Sequence, residues 1–273
     1  MSSLMQRLLT AAVLVPIVVW VVLYSPEFIF LFVLSLIVFI GAYEWSGLAE
    51  VENSYHKFIV AGFILAVSNG LLLIDAELLT YLMLLSLVFW LLVIVFIVFM
   101  PAYLLAVKRQ RMVMLVLGSV LLSLTFVSLF QLRHAFTHGA DLLMYLLLLI
   151  WIADSGAYFA GRTLGRNKLS AVISPGKSIE GVVGGLLTCL LFAVLAAGYF
   201  EVASIIGFIF LSLFVVIVSV YGDLFESLLK RRAAVKDSGH ILPGHGGVLD
   251  RIDSLIAAGP VFYGCLLLTE MVA

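Results

Sequence analysis

The sequence predicts an all-α fold: a polytopic transmembrane helical bundle of about nine spans, with the N-terminus cytoplasmic and the C-terminus outside. Three observations predict it: an apolar composition, a run of membrane-length apolar segments, and a one-sided distribution of basic residues. Hydrophobic residues make up 64% of the 273, charged residues only 11%, and mean hydropathy is +1.24. A soluble domain is about half apolar and about a quarter charged, so this chain has too little polar surface to cover itself in water. The formal net charge of −1 supplies no basic field, and no nucleic-acid partner is expected. Cys189 and Cys265 both fall in apolar runs and indicate neither a disulfide framework nor a metal site.

A membrane helix needs about 20 mostly apolar residues. Such runs lie near 7–24, 28–43, 58–74, 78–104, 112–132, 141–160, 181–200, 204–226 and 254–271. Breakers separate them: "SPE" at 25–27, "IDAE" at 74–77 and "KRQR" at 108–111, while Pro101 offers an earlier end to the long fourth run. Arg7 followed by "LLTAAVLVPIVVWVVLY" has the layout of a signal peptide, but no small-x-small cleavage site closes it. An uncleaved first span is expected.

Cytoplasmic loops carry an excess of Lys and Arg. With nine spans and the N-terminus inside, the cytoplasmic segments hold Arg7, Lys57, Lys108, Arg109, Arg111, Arg162, Arg166, Lys168, Lys177, Lys230, Arg231, Arg232, Lys236 and Arg251. Those are fourteen of the fifteen basic residues, leaving Arg133 alone outside. One missed helix would exchange the sides downstream, so the split supports the count. It also places the polar stretches 151–181 and 221–253 on the cytoplasmic side. The expected organisation is a transmembrane scaffold over 1–140 and a catalytic region over 141–273. No internal repeat is visible, which weighs against common transporter folds.

An ionised group at the bilayer centre costs about 2.5–3.5 kcal/mol on insertion scales, so each one needs a reason. Asp154 falls toward the end of the sixth run, with Gly156 nearby; Asp223 and Glu226 close the eighth, after Gly222. Asp223 and Ser227 are four apart and share a helix face. Asp250 and Asp253, three apart, also share one, and Asp250 opens a helix whose N-terminal dipole favours anions. Carboxylates brought together from neighbouring spans suit Mg²⁺, which takes one or two of them and completes its shell with water and phosphate. A second cation is compatible with the same cluster. Lys230, Arg231, Arg232, Lys236 and Arg251 outnumber the nearby carboxylates, so a polyphosphate carrying Mg²⁺ is the charge-matched ligand.

"GHGG" at 244–247 adds glycines that let backbone N–H groups approach an anion. His245 is either a phosphate donor or an ordinary loop residue. "SPGKSIEG" at 174–181 contains GKS, but a P-loop needs Gly at position 171, which is Ala, and no β-strand is expected before it. Lys177 and Ser178 still lie at the start of a span, where helix N–H groups favour phosphate, and Glu180 is a candidate cap.

The stretch "SLLKRRAAVKDSGHILPGHGGVLDRID" resembles the signature of the phosphatidate cytidylyltransferase (CDP-diacylglycerol synthase) family. Ser227, Lys230-Arg231, Lys236-Asp237, Gly239, Pro243, His245-Gly246-Gly247, Asp250-Arg251 and Asp253 stand at the matching spacings. "DSGAY" at 154–158 and "SPGKSIEG" are also similar to family segments, so the resemblance covers about 151–254; the N-terminal half resembles the family only in being apolar spans. The resemblance implies synthesis of CDP-diacylglycerol and pyrophosphate from CTP and phosphatidic acid, with a divalent metal. It implies a metal on Asp223 and Asp250, with Ser227 nearby, and catalytic roles for Lys236 and Asp237 beside them. Lys230, Arg231, Arg251 and His245–Gly247 would handle phosphates. Lys177, Ser178, Asp154 and Asp253 would complete the substrate site.

CTP, phosphatidic acid and membrane lipids are thus the expected partners, and a prokaryotic plasma (inner) membrane with the site facing the cytoplasm is the expected location. A homodimer stays open: Gly156, Ala160, Gly181 and Gly185 permit close packing within one chain or between two. Two other readings remain, a CTP-dependent polyprenol or phytol kinase and an ion-coupled transporter. The DG…AR…G…D…D spacing of a CDP-alcohol phosphotransferase is absent.

Overall fold

The computed structural model describes residues 3–108, 110–241, 246–269 and 271, with side chains from Thr10 onward. Among the described residues ten α-helices run in order: α1 Ser3–Leu23, α2 Glu27–Leu48, α3 Ser54–Gly70, α4 Ala76–Phe99, α5 Pro101–Ala106, α6 Arg111–His134, α7 Gly139–Leu164, α8 Ile179–Tyr199, α9 Ile205–Arg232 and α10 Leu249–Thr269. Among the described residues, eight helices are long and apolar enough to cross a membrane: α2, α3 with its following turn, α4 and α6–α10. The shorter apolar stretch Thr10–Leu23 of α1 accounts for the ninth run. The fold is the expected all-α polytopic bundle. The long fourth run splits at Met100, where Pro101 opens the short α5, because a proline supplies no N–H to continue the preceding helix.

Short polar residues start several helices by accepting from N–H groups that have no partner within the helix. Asn53 accepts from Tyr55 N, Asp75 from Leu78 N, Ser178 from Gly181 N and Ser204 from Gly207 N. The core carries Trp45, Trp90, Phe126, Phe208 and Phe262, each fully buried. The Trp45 indole Nε1 donates to Met114 O at 2.8 Å across α2 and α6. It can do so only because Gly118 has no side chain, since a Cβ there would fall on the indole.

Small residues bring α7 and α8 together within the chain. A Cβ on Gly184 would strike Ala160, one on Gly156 would strike Thr188, and Gly181 lies against Gly161. The small-residue stripe thus serves packing inside one chain. The outlying Arg133 also has a structural use. Its guanidinium donates to Val22 O and Ser25 O, the last carbonyls around the end of α1, and lies 4.5 Å from the Phe30 ring.

One local expectation fails. The stretch read as free of strands holds a two-stranded antiparallel hairpin, β1 Lys168–Ser170 and β2 Ser174–Ser178. Ile173 at its tip is buried against Leu224 and Leu228 of α9 and Ile97 of α4. That apolar anchor makes so short a hairpin worth forming; an isolated one is marginal in water. A hairpin running directly into a helix is still no P-loop, since position 171 remains Ala.

Candidate active site

The polar residues of the second half gather where α9 ends, α10 begins and the hairpin folds across them. α9 has 28 residues and runs beyond the predicted 204–226 to Arg232. Its extra turns carry Lys230 and present it to the start of α10.

One network closes this junction. The Lys230 ammonium lies 2.5 Å from Glu226 Oε2 and 2.6 Å from Asp250 Oδ1, and all three side chains are nearly enclosed, at 11%, 2% and 4% exposure. Asp250 Oδ2 accepts from Gly247 N at 2.8 Å and from both the N–H and the hydroxyl of Ser238 at 2.9 Å. Both Asp250 oxygens are therefore held by protein donors. Gly246 makes the turn possible: its φ is +81°, and a Cβ would come within 2.8 Å of Asp250 Oδ2.

A second, more open network lies one helical turn away on α9. Lys177 Nζ sits 2.7 Å from Asp223 Oδ2 and donates to Val220 O at 3.2 Å, while Ser227 Oγ donates to Asp223 Oδ1 at 3.3 Å. The predicted Asp223–Ser227 face is therefore real. Asp253 interacts electrostatically with Asp223, Glu226 and Lys177, and Asp154 with Lys177, Asp223 and Arg251. The two aspartates of α10 part company: Asp250 turns to Lys230 and the loop, whereas Asp253 faces Asp223 and accepts from Ser254 N.

Several predicted residues are used differently. Ser178 is buried and caps α8; the Glu180 carboxylate, in the first turn, takes its own N–H and also accepts from Arg166 N, Asn167 N and Asn167 Nδ2. Arg231 Nε donates to Ile173 O and Arg232 to Val107 O, so these two tie down the hairpin and the α5 end. Lys236 and Asp237 are exposed on the loop beyond α9. His245 lies outside the described residues. The expected excess of cations is reversed: Asp154, Glu226 and a carboxylate from the N-terminal half join the cluster, while Arg231 and Arg232 turn away from it.

That added carboxylate is Glu44, which sequence reasoning missed. It sits near the end of α2, 5% exposed, and accepts from Val248 N at 3.1 Å and Leu249 N at 2.8 Å. Ser238 Oγ lies 3.3 Å from its Oε2. The signal was present in "GAYEWSG", an ionisable group inside an apolar run. Next to this junction, a polar cavity of about 670 Å³ opens between the α2–α3 loop, the start of α6 and the loop after α9. Lys57, Arg111, Asp237, Ser238 and His240 are among its walls.

The ammonium groups are hydrogen-bond donors suited to phosphate, and the carboxylates and the hydroxyl supply hard oxygens suited to a divalent cation. Among the described residues no three His, Cys, Asp or Glu side chains are grouped to hold a metal by themselves. An ion here would use one or two carboxylates and complete its shell from water and phosphate, as Mg²⁺ does.

Fold and site together define a multi-pass membrane protein with a phosphate-compatible ionic centre at the junction of its last helices. The chain belongs to the cytidylyltransferase family, whose model matches residues 5–269. It is 37% identical to the phosphatidate cytidylyltransferase of Haemophilus influenzae, over 95% of this chain and 97% of that one. It is 38% identical to the phosphatidate cytidylyltransferase of Pseudomonas aeruginosa, over 96% and 97% respectively. A shorter match, 43% identical over 156 residues, is to the enzyme of that name in Bacillus subtilis.

Proposed function

We propose that this chain is an integral membrane phosphatidate cytidylyltransferase, converting CTP and phosphatidic acid to CDP-diacylglycerol and pyrophosphate in phospholipid biosynthesis. The observation that carries the reading is full-length similarity to two enzymes of that name, together with the Lys177–Asp223 and Lys230–Asp250 pairs built by the segments that gave the resemblance. The bacterial relatives and the apolar helices support a bacterial inner membrane. The one-sided Lys and Arg distribution supports a site facing the cytoplasm, where CTP is available. The division into a scaffold over 1–140 and a catalytic region over 141–273 belongs to the same reading, with Glu44 reaching from the first into the second.

In the reaction, an oxygen of the phosphatidate phosphomonoester attacks the α-phosphorus of CTP. A new P–O bond forms, the bond from that phosphorus to the bridging oxygen breaks, and pyrophosphate leaves with the electron pair. The nucleophile is already anionic near neutral pH, so positioning and charge neutralisation matter more than a base. Lys177, held by Asp223, and Lys230, held by Glu226 and Asp250, would meet phosphate oxygens, and Arg251 is exposed beside Asp154. Asp223 is the more open carboxylate of the proposed metal pair and Ser227 its hydroxyl neighbour. Asp250 would join by exchanging Lys230 for the ion. A bound Mg²⁺ would supply charge neutralisation on the phosphate oxygens. Lys236, Asp237 and Gly246 complete the proposed substrate contacts, while the Gly247 N–H serves Asp250 instead.

The test is a product assay with purified chain, phosphatidate and CTP labelled in the cytidine. A labelled CDP-lipid with stoichiometric pyrophosphate is expected. Labelled CDP with a phosphorylated lipid alcohol, the outcome of a kinase, would overturn the reading.

A further inference from the structure

We propose that Glu44 is a positioning residue for cytidylyl transfer: it clamps the loop between α9 and α10 from the opposite half of the chain. The proposal rests on the transfer reaction above and concerns a helix that the sequence places in the scaffold.

Three observations carry it. First, the carboxylate is buried, and its partners among the described residues are Val248 N, Leu249 N and the nearby Ser238 hydroxyl, all from one loop 194 to 205 residues away. The opening N–H groups of a helix have no partner inside it. Glu44 supplies one in trans at the start of α10, where the helix dipole also favours a negative charge.

Second, the loop is shaped around this carboxylate. A Cβ on Gly239 would fall on the Glu44 carboxylate, and one on Gly247 would come within 2.6 Å of both its oxygens. Close approach requires glycine at both points, to Glu44 at 239 and to Glu44 and the Ser238 hydroxyl at 247, since neither has the left-handed φ of Gly246. Third, Glu44 and Asp250 divide the work: Asp250 takes Gly247 N and Ser238 N, and Glu44 takes the next two amides. Three consecutive N–H groups, 247 to 249, are fixed by two carboxylates from different helices. The loop so fixed holds Asp250 toward Lys230 and also forms a wall of the polar cavity through Asp237, Ser238 and Gly239. Glu44 thus sets the register of Asp250 without needing to touch substrate.

The experiment compares wild type, Glu44→Gln and Glu44→Ala as full-length chains in detergent micelles containing phosphatidate. It reads amide hydrogen exchange at Val248 and Leu249 alongside kcat and KM for CTP. Glu44→Ala should speed exchange at both amides by about tenfold or more as the loop opens locally. Displacing a catalytic group by about 1 Å can cost about 100-fold in rate, so kcat should fall on that scale while KM moves less. Glu44→Gln, which keeps one acceptor, should fall between. Glu44→Ala with wild-type exchange, or with faster exchange and wild-type kcat, would overturn the proposal. If wild type yields no CDP-lipid, the reaction assignment fails, and the exchange arm still decides whether the clamp exists. Should Glu44→Ala not accumulate, Gly239→Ala is expected to speed the same two amides, and Gly239→Ala/Glu44→Asp to slow them again. Unchanged exchange in Gly239→Ala would sink the clamp.

Discussion

Replacing Lys230 with Met isolates the buried ionic junction. The ammonium is the cation between Glu226 and Asp250, at 2.5 and 2.6 Å, and the two carboxylates are 2% and 4% exposed. Methionine keeps the length and apolar stem but removes the charge, leaving two carboxylates facing each other out of reach of water. Removing one partner of a buried pair costs about 3–5 kcal/mol, because the charge left behind is uncompensated. The two acids would not suffer equally. Asp250 keeps Gly247 N and both donors of Ser238, whereas among the described residues Glu226 has no hydrogen-bond partner besides the ion pair. Most of the loss should therefore arise at Glu226, and Lys230→Met/Glu226→Gln should recover more than half of it. Thermal unfolding followed by tryptophan fluorescence in micelles can measure this, since buried Trp90 packs edge-on to Phe225, the neighbour of Glu226. A single mutant that unfolds with wild type, or a double mutant no more stable than the single, would refute the argument.

Two further outcomes follow from the same geometry. Asp223→Asn should reduce CDP-lipid formation by about 100-fold or more at every Mg²⁺ concentration, with little change in unfolding temperature, because the Lys177–Asp223 pair is partly exposed; full turnover at ordinary Mg²⁺ would refute the metal role. Gly118→Ala should destabilise by about 1–3 kcal/mol, because its Cβ would overlap the Trp45 indole and displace the bond to Met114 O; an unchanged unfolding temperature would show that α2 and α6 can separate freely there.

The helices were legible because composition and length suffice to read them. Eight of the nine apolar runs each lie on one long helix, and the fourth divides into α4 and α5 at Pro101, the earlier end that its proline offered. The i, i+4 relation of Asp223 and Ser227 was legible for the same reason, being set by helix geometry alone. Partners distant in sequence were not. Asp250 and Asp253 stand only three positions apart on one helix, yet one is turned to Lys230 and the other faces Asp223. Which acid meets which cation depends on how α9 crosses α10, and helical spacing does not encode that crossing. Arg133 and Glu44 show the same limit. Each is a lone charged group in apolar surroundings, and each is explained only by carbonyls or amides of another helix. The cost of burying a charge would have flagged Glu44, but not its partners some 200 residues on. The hairpin escaped because its strands are three and five residues long and owe their existence to Ile173 docking on α9.

The balance of charge bears on why a cation should accompany the nucleotide. Around the junction stand Glu44, Asp154, Asp223, Glu226, Asp250 and Asp253, while the cations facing them are Lys177, Lys230 and Arg251. Arg231 donates to the carbonyl of Ile173 and Arg232 to that of Val107. An acid-rich centre of this kind repels a free polyphosphate, and the repulsion is stronger at the low effective dielectric of a partly enclosed site. Neutralising it with more lysines would have given a phosphate trap, tight for substrate and product alike. Pairing each lysine with a carboxylate instead makes binding an exchange. Phosphate oxygens can take over the ammonium groups of Lys177 and Lys230 only if something else satisfies Asp223, Asp250 and Glu226. A divalent cation accompanying the triphosphate would meet that requirement by supplying positive charge to those carboxylates. On this reading the three ion pairs of Lys177 and Lys230 are the resting positions of groups that change partners during turnover, and Glu44 keeps Asp250 in register while they do.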